Sequence, residues 1–363
     1  MRPTPEAAVR HDAAPPAGEA GARARRLRER LAALPVAIVS ASCVQHDVVV
    51  PSYADGPRPS STVLLSGRGS EGRGEHVGWT RAAHDACAVR VATLALAGCG
   101  TVGDVARHAA QALDDVYDRA ALEAAAIDLA LAQAGSNPFR LIDAAPQPLR
   151  YVVSFERVAD PLARAATELR HAPGVELKID VDPAWDDATF VALAALGRVA
   201  VLDFKLSGTV AEHERAHRLV PAALLEDPLP GATRWSAALR SRLSLDAAVR
   251  STVALGEIGA ADRPAAVNVK PARIGSVLEA LDVVVACAAR GIDVYFGGMF
   301  ELGVGRAQLQ TLAALLCPDA PNDVAPIARA DDHAVRPPRL LLRDAGTGFA
   351  AGATDGALAR QSL

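Results

Sequence analysis

The sequence lacks the features by which several classes of protein are recognised. No apolar run reaches the roughly 18 residues that a bilayer-spanning helix requires, so we expect no membrane association. The formal net charge is −4, without the basic excess of nucleic-acid-binding proteins, so nucleic acid is not expected as a partner. The five cysteines are scattered and none forms a CxxC pair, which is typical of buried, reduced thiols in a cytoplasmic protein.

The composition does allow a large core, because 50% of the 363 residues are hydrophobic. Residues 1–26 are rich in Ala, Pro and Arg, which predicts a disordered extension. Residues 27–145 have the pattern of a small α+β domain, with strands followed by helices. Residues 146–342 alternate between strand and helix patterns, and the Gly- and Ala-rich tail, 343–363, is expected to be loose.

Two polar stretches interrupt the smaller domain. Residues 51–61 form a Pro-rich loop between predicted strands. The glycine-rich stretch 67–79 admits either a phosphate-binding loop or a hairpin connection. It lacks the Gly-Lys-Ser/Thr ending and the strand-to-helix context of a phosphate-binding loop, so the hairpin is favoured.

The alternating region predicts eight buried strands, because each short apolar run is bounded by turn signals. These runs are 150–155, 175–181, 199–205, 222–228, 243–247, 265–271, 292–298 and 322–326. Eight strands with intervening helices indicate a β/α barrel, although a doubly wound open sheet would also alternate. We favour the barrel because charges recur at successive strand ends, whereas an open sheet gathers its site at one switch point.

The charges at the strand ends predict the position of a functional site. Asp203, Glu226 and Asp246 are 23 and 20 residues apart, and Lys270 follows after a further 24 residues. Each step is about one βα unit, so the four side chains would meet at one mouth of the barrel. Three carboxylates and a lysine in that arrangement would form a site for a hard cation with an adjacent base.

The period of two along a strand extends this set. It predicts that the following residues share the barrel interior: Lys178, Asp180, Asp203, Lys205, Glu226, Asp246, Asn268 and Lys270. Their formal charge is −1, and one divalent cation would make it +1, which suits an anionic substrate. A lysine beside a cation and other lysines should have a lowered pKa, closer to that of a working base. The alternative role for the acids is helix N-capping or structural ion pairing, and for Lys178 it is ion pairing with Asp180 or Asp203. Glu301 admits either a site role or a surface or capping role.

At this point the residues resemble the enolase superfamily, in its muconate-lactonizing and o-succinylbenzoate-synthase-like branch. The likeness runs from about residue 35 to residue 326. It rests on the order and spacing of several motifs, which are GRGEHVGWT, RAALEAAAIDLALAQAGSNPFRLI, LLEDP, LSLDA, NVKPARIGS and GGMFELGVGRAQLQTLAAL.

This resemblance implies an α/β fold, a modified (β/α)7β TIM-type barrel with an N-terminal α+β capping domain. It implies Mg²⁺, or Mn²⁺ in its place, bound by Asp203, Glu226 and Asp246, with Lys270 as an acid/base. The shared reaction step is removal of the proton α to the carboxylate of a small substrate, and 51–61 matches a lid over the mouth. Barrels of this kind often form homo-oligomers, and the oligomeric state stays open.

The sequence departs from the family pattern on two strands. The family's Lys-x-Lys on strand two is Lys178-Ile-Asp180, and its Asp-x-Asn on strand three is Asp203-Phe-Lys205. A second alignment would instead match 179–185 to strand three, with Asp180 as the ligand. We favour the first alignment because it gives eight strands without an insertion. Either alignment alters the family's pair of lysine bases.

The leading hypothesis is therefore a Mg²⁺-dependent lyase or isomerase of the cycloisomerase, dehydratase or epimerase type. Lys270 or Lys205 would take the proton and the other would return it or stabilise the anion, with Lys178 beside them. The alternative is a non-catalytic barrel that binds a ligand or serves a structural role. A metal-dependent hydrolase barrel is disfavoured, since none of the nine histidines falls at a predicted strand end.

Overall fold

The structure is a computed structural model that describes residues 17–50, 56–96, 98–230, 235–326 and 336–350. Its helices are α1 (Ala17–Ala33), α2 (Arg81–Thr93), α3 (Val102–Ala112), α4 (Val116–Gln133), α5 (Pro138–Leu141), α6 (Pro161–His171), α7 (Asp187–Ala195), α8 (Val210–Leu219), α9 (Ala237–Arg240), α10 (Thr252–Glu257), α11 (Pro271–Ile274), α12 (Val277–Ala289) and α13 (Val304–Leu316), with a 3-10 turn at Ala260–Asp262. Its strands are β1 (Ser40–Val48), β2 (Arg58–Gly67), β3 (Ser70–His76), β4 (Leu149–Arg150), β5 (Val152–Phe155), β6 (Glu176–Asp180), β7 (Val199–Asp203), β8 (Leu224–Glu226), β9 (Leu243–Leu245), β10 (Ala266–Val269), β11 (Asp293–Phe296) and β12 (Arg339–Leu340).

The N-terminal part is an antiparallel sheet in the order β1–β2–β3, with helices packed against it. The glycine-rich stretch forms the β2–β3 hairpin, as predicted, and its turn passes through Gly69 at a φ of +74°. Helix α4 lies directly on β3. A Cβ at Gly72 or Gly74 would collide with backbone carbonyls of α4, at Ala125 and Ala121. The glycines of this hairpin therefore permit a close contact between helix and sheet.

The prediction of a disordered extension over residues 1–26 is wrong for its second part. Residues 17–26 belong to α1, and residues 1–16 lie outside the described residues. Ala24, Leu27 and Leu31 recur at helical spacing and are fully buried, and the helix packs along α12. The apolar stripe starts with alanines among arginines, which is why it resembled an unstructured segment.

The predictions for the loop 51–61 and the tail 343–363 are also wrong for the parts that the structure describes. Residues 58–61 of the predicted loop 51–61 belong to β2, paired with β1, and 51–55 lie outside the described residues. Part of the tail is fixed rather than loose. The backbone N–H of Phe349 donates to Asp128 Oδ1 at 2.5 Å, and Asn137 Nδ2 donates to Asp344 Oδ1 at 2.7 Å. Residues 351–363 lie outside the described part of the chain.

The second part is a curled parallel sheet of seven strands in chain order from β5 to β11, with helices between them. Parallel bridges join Tyr151 to Asn322 and Gly297 to Asp323, so residues 322–323 lie between the two end strands. This is the position of the eighth predicted strand. The predicted fold, a (β/α)7β barrel with an N-terminal α+β domain, is confirmed.

Glu75 connects the two parts of the fold. This buried β3 carboxylate accepts hydrogen bonds from the backbone N–H groups of Leu302, Gly303 and Gly305, at 2.6, 2.9 and 3.0 Å. Burial raises its pKa. The hydrogen bonds fix the segment between β11 and α13, at the same end of the barrel as the predicted site.

Candidate active site

The chain contains only three lysines among its 38 basic residues, and all three lie in or directly after barrel strands. Lys178 is in β6, Lys205 follows β7 by two residues, and Lys270 directly follows β10. Because parallel strands end at one edge of the sheet, the three amines are brought to the mouth of the barrel.

The acids lie at the same level on neighbouring strands. The Cα partners in the sheet are Asp180 with Asp203, Asp203 with Glu226, and Glu226 with Ser244. Asp246, two residues beyond Ser244, faces the same side. The structure therefore brings the predicted metal ligands to one end of three successive strands, β7, β8 and β9.

Lys178 lies among three carboxylates. Its Nζ is 2.5 Å from Glu226 Oε1, 3.2 Å from Asp203 Oδ2 and 3.4 Å from Asp323 Oδ2. Its side chain is 1% exposed, so this ammonium does not meet solvent. Burial alone would lower its pKa, but the charges of Glu226 and Asp203 raise it well above the ordinary value. The ammonium thus occupies a cage of carboxylates that is suited to a cation.

Lys205 forms the outer part of the same network. Its Nζ pairs with Asp203 Oδ2 and lies 3.1 Å from Asp180 Oδ1. The side chain is 46% exposed, so its amine is accessible from the mouth. Its pKa is also raised, because Asp203 and Asp180 outweigh burial and the charge of Lys178. The predicted fall in lysine pKa depends on the charge of a bound cation and stays a prediction.

Lys270 belongs to a second ion-pair group. Its Nζ is 2.8 Å from Asp246 Oδ2, and Arg273 pairs with Asp246 Oδ1. Arg273 is on α11, which begins immediately after Lys270. Burial opposes ionisation of Asp246, but Lys270, Lys178 and Arg273 lower its pKa, so it stays a carboxylate.

The three predicted ligands do not converge on one point in this conformation. Across the described ranges, the one group of three or more His, Cys, Asp or Glu residues with ligand atoms all within 4.8 Å of one another is His76, Cys87 and Asp118. In the barrel, Lys178 lies against Asp203 and Glu226, while Asp246 is paired with Lys270 and Arg273. The ammonium groups therefore balance the charge that a cation would balance.

Sequence reasoning missed three residues that shape this site. The Tyr295 hydroxyl donates to Glu226 Oε2 at 2.6 Å, and burial beside that carboxylate raises its pKa, so it remains a donor. Asp227 Oδ1 accepts the N–H of Asp246 at 2.8 Å. Asp323 contacts Lys178 from the eighth strand position. The period of two would have found Tyr295, and Asp323 lay in the predicted strand 322–326.

Two further predicted site residues have well-defined positions. Asn268 Nδ2 donates to Glu226 Oε1 at 3.1 Å, so it supports the same carboxylate as Lys178. Glu301 is buried and accepts the N–H of Met299 on both oxygens, at 3.0 and 2.9 Å. In this structure Glu301 shapes the loop after β11.

Comparison with protein families matches both parts of the chain. Residues 145–331 match the domain of unknown function (DUF8230) C-terminal domain, and residues 29–139 match the N-terminal domain of the same family. The chain belongs to the DUF8230 family.

This DUF8230 chain is also similar to named enzymes over part of its length. It is 32% identical over 161 residues to the N-succinylamino acid racemase of Amycolatopsis sp, covering 42% of this chain and 44% of that protein. The chain thus spans less than half the length of this curated relative.

Solved structures match nearly the whole fold. A member of the enolase superfamily from Enterococcus faecalis V583 has a TM-score of 0.67 and 18% identity, covering 91% of this chain and 98% of that one. A dipeptide epimerase from Methylococcus capsulatus, complexed with Mg and the dipeptide L-Arg-D-Lys, has a TM-score of 0.68 and 20% identity, covering 87% of this chain and 99% of that one. The enolase-superfamily fold that the sequence predicted is confirmed, and the named relatives are enzymes.

Within the described residues, no helix is long and apolar enough to cross a membrane.

Proposed function

We propose that this DUF8230 protein is a Mg²⁺-dependent lyase or isomerase that removes the proton α to the carboxylate of a small substrate. The observation that carries the proposal is the placement of Asp203, Glu226 and Asp246 on three successive strand ends, with Lys270 on the next strand. The named relatives, a racemase and a dipeptide epimerase, support the same general class of reaction.

The donor groups fit a divalent magnesium ion. Mg²⁺ prefers carboxylate oxygens, and Asp203, Glu226 and Asp246 offer only oxygen. The cage around Lys178 already holds one positive charge against Asp203, Glu226 and Asp323. When bound, the ion would act as a Lewis acid on the substrate carboxylate and stabilise the negative charge formed beside it. Mn²⁺ has similar preferences and is an alternative ion.

Lys270 and Lys205 are the two amines suited to proton transfer. Lys270 follows the sixth barrel strand, β10, and Lys205 follows the third, β7, so they approach the mouth from opposite walls. Either amine would take the α proton and the other would return it to the opposite face or stabilise the anion. Lys178 is too deeply buried to reach a substrate, and we assign it to positioning Asp203 and Glu226.

A contact of Lys205 supports its assignment in place of the missing strand-two lysine. Asp180 stands where the family has a lysine, and Lys205 Nζ lies 3.1 Å from that carboxylate. The amine from strand three therefore reaches toward strand two. This contact supports a catalytic pair rather than the alternative, a non-catalytic barrel, which Asp180 alone would favour.

Hydrogen exchange tests the proposal without knowledge of the physiological substrate. The protein is incubated with Mg²⁺ in D₂O with N-succinylamino acids, dipeptides, acid sugars and cyclic carboxylates, and deuterium at the α carbon is measured by NMR. We expect exchange with members of one class. Absence of exchange from every compound would favour the non-catalytic barrel.

The two-base arrangement has a sharper test with separate enantiomers of an active compound. Lys270→Met should abolish exchange from one enantiomer, and Lys205→Met should abolish exchange from the other. Each variant is the control for the other, because both remove one ammonium from the same mouth. Unchanged exchange in both variants would contradict the assigned roles.

A further inference from the structure

A second group of metal-ligating side chains lies in the N-terminal domain, on elements other than the barrel strands. His76 is the last residue of β3, Cys87 is on α2 and Asp118 is in the first turn of α4. All three are fully buried, and one ligand atom from each lies within 4.8 Å of the others. They come from three separate elements, so the fold rather than local sequence brings them together.

Two of the polar atoms in this cluster face each other. His76 Nε2 is 3.2 Å from Asp118 Oδ1, and both side chains are fully buried. The other oxygen of Asp118 pairs with Arg90. Two zinc ligands at about 2.0–2.1 Å in tetrahedral geometry would be separated by about 3.3 Å, which agrees with the observed spacing.

A neighbouring histidine packs beside His76. His84 Nε2 lies 2.9 Å from the Gly78 carbonyl oxygen, which can only accept, so this nitrogen donates. Its Nδ1 is 2.7 Å from Ser61 Oγ and 3.3 Å from His76 Nδ1. The N–H of Gly78 donates to His76 Nδ1 at 3.3 Å, so Nε2 is the ring nitrogen that faces Asp118. A zinc ion would take the place of the proton on Nε2, and that proton would be released to solvent.

We propose that His76, Cys87 and Asp118 bind a zinc ion. Cys43 of β1 interacts with the Cys87 thiol, but it lies outside the group whose ligand atoms are all within 4.8 Å of one another. Nitrogen, sulfur and carboxylate oxygen are all accepted zinc ligands. Binding would convert the Cys87 thiol to a thiolate and release its proton to solvent.

The ion would stabilise the part of the N-terminal domain that faces the barrel. It would join β3, α2 and α4 at one point. The chain runs from His76 to Trp79, whose ring lies 6.3 Å from that of Phe300 in the loop after β11. A fixed His76 therefore constrains a segment that packs on the rim of the proposed active site.

Metal analysis of matched cysteine variants tests this site. The full chain is produced with zinc in the medium and purified with excess Mg²⁺, so that the barrel carboxylates do not retain zinc. We expect about one zinc per chain by mass spectrometry in the wild type and in Cys287→Ala, and at least tenfold less in Cys87→Ala. Cys287 is a matched control because it is equally buried, on α12 of the barrel. Equal zinc in Cys87→Ala and the wild type, or none in the wild type, would overturn the proposal.

Cobalt substitution provides a readout that does not depend on the folding of a variant. Wild-type protein reconstituted with Co²⁺ should show a thiolate-to-cobalt charge-transfer band, which oxygen ligands in the barrel cannot produce. A wild-type cobalt protein without this band would exclude Cys87 as a ligand. Asp118→Asn preserves side-chain size and should lose zinc to a chelator at least tenfold more readily than the wild type.

Discussion

The substitution Lys178→Met tests whether a metal ion and this lysine share the same carboxylates. Lys178 Nζ is 2.5 Å from Glu226 Oε1. An ion bound to that oxygen at about 2.1 Å would lie no more than about 4.6 Å from the ammonium. The repulsion between charges of +2 and +1 at that distance is about 7 kcal/mol at an effective dielectric constant of 20 and about 2 kcal/mol in bulk water.

The smaller of these energies already predicts a measurable effect. About 2 kcal/mol corresponds to about thirtyfold in a dissociation constant, so Lys178→Met should bind Mg²⁺ at least tenfold more tightly than the wild type. Without Mg²⁺ the same variant should be less stable by about 3–5 kcal/mol, because buried carboxylates lose their partner. Isothermal titration calorimetry and urea unfolding measure the two effects.

The matched control is Lys178→Arg, which keeps the positive charge and should not bind Mg²⁺ more tightly than the wild type. Near-ultraviolet circular dichroism at saturating Mg²⁺ verifies that both variants are folded. If Lys178→Met binds Mg²⁺ no more tightly than the wild type, the ion does not share the Glu226 carboxylate with Lys178.

Two further predictions concern the buried acid of α4 and the packing of α1. Burial raises the pKa of Glu123 from 4.5 to about 7, so the fold favours its protonated form and wild-type stability should fall as pH rises through this window. Glu123→Gln has no carboxyl group to titrate at this position. Its free energy of unfolding, relative to that of the wild type, should rise by about 3 kcal/mol between pH 4 and pH 8.5 in urea unfolding. Parallel pH profiles of the two proteins would contradict the raised pKa of Glu123. Leu27→Ala should destabilise the protein by about 2–5 kcal/mol, and exposed Arg25→Ala by less than about 0.5 kcal/mol, in the same assay. Equal stability of these two variants would mean that α1 does not pack on the barrel.

The barrel and the level of the site could be predicted because both have local signals. A short apolar run that ends in a charged residue marks a strand and its carboxyl end. The spacing of these runs along the chain sets the order of Asp203, Glu226 and Asp246 around the mouth. The period of two also placed Lys178 and Asn268 in the interior correctly. These features need only the sequence within each strand.

The pairing within the site could not be predicted, because it depends on contacts between distant strands. Lys178 on the second strand reaches Glu226 on the fourth, and Tyr295 on the seventh donates to the same carboxylate. Strand tilt and side-chain length decide such contacts, and neither appears in the spacing. The contact of the tail with Asp128 and the contact of His76 with Asp118 could not be predicted for the same reason, because each joins elements from different parts of the chain.

Calorimetric titration of Mg²⁺ into Glu226→Gln most directly tests whether the barrel mouth is a metal site. The matched control is Glu301→Gln, which makes the same chemical change in a buried acid near the mouth whose carboxylate accepts from the backbone N–H of Met299. Loss of Mg²⁺ binding in Glu226→Gln, with wild-type affinity in Glu301→Gln, is the result expected if the three strand-end acids bind the ion. Wild-type affinity in Glu226→Gln would contradict the proposed site and the reaction that depends on it.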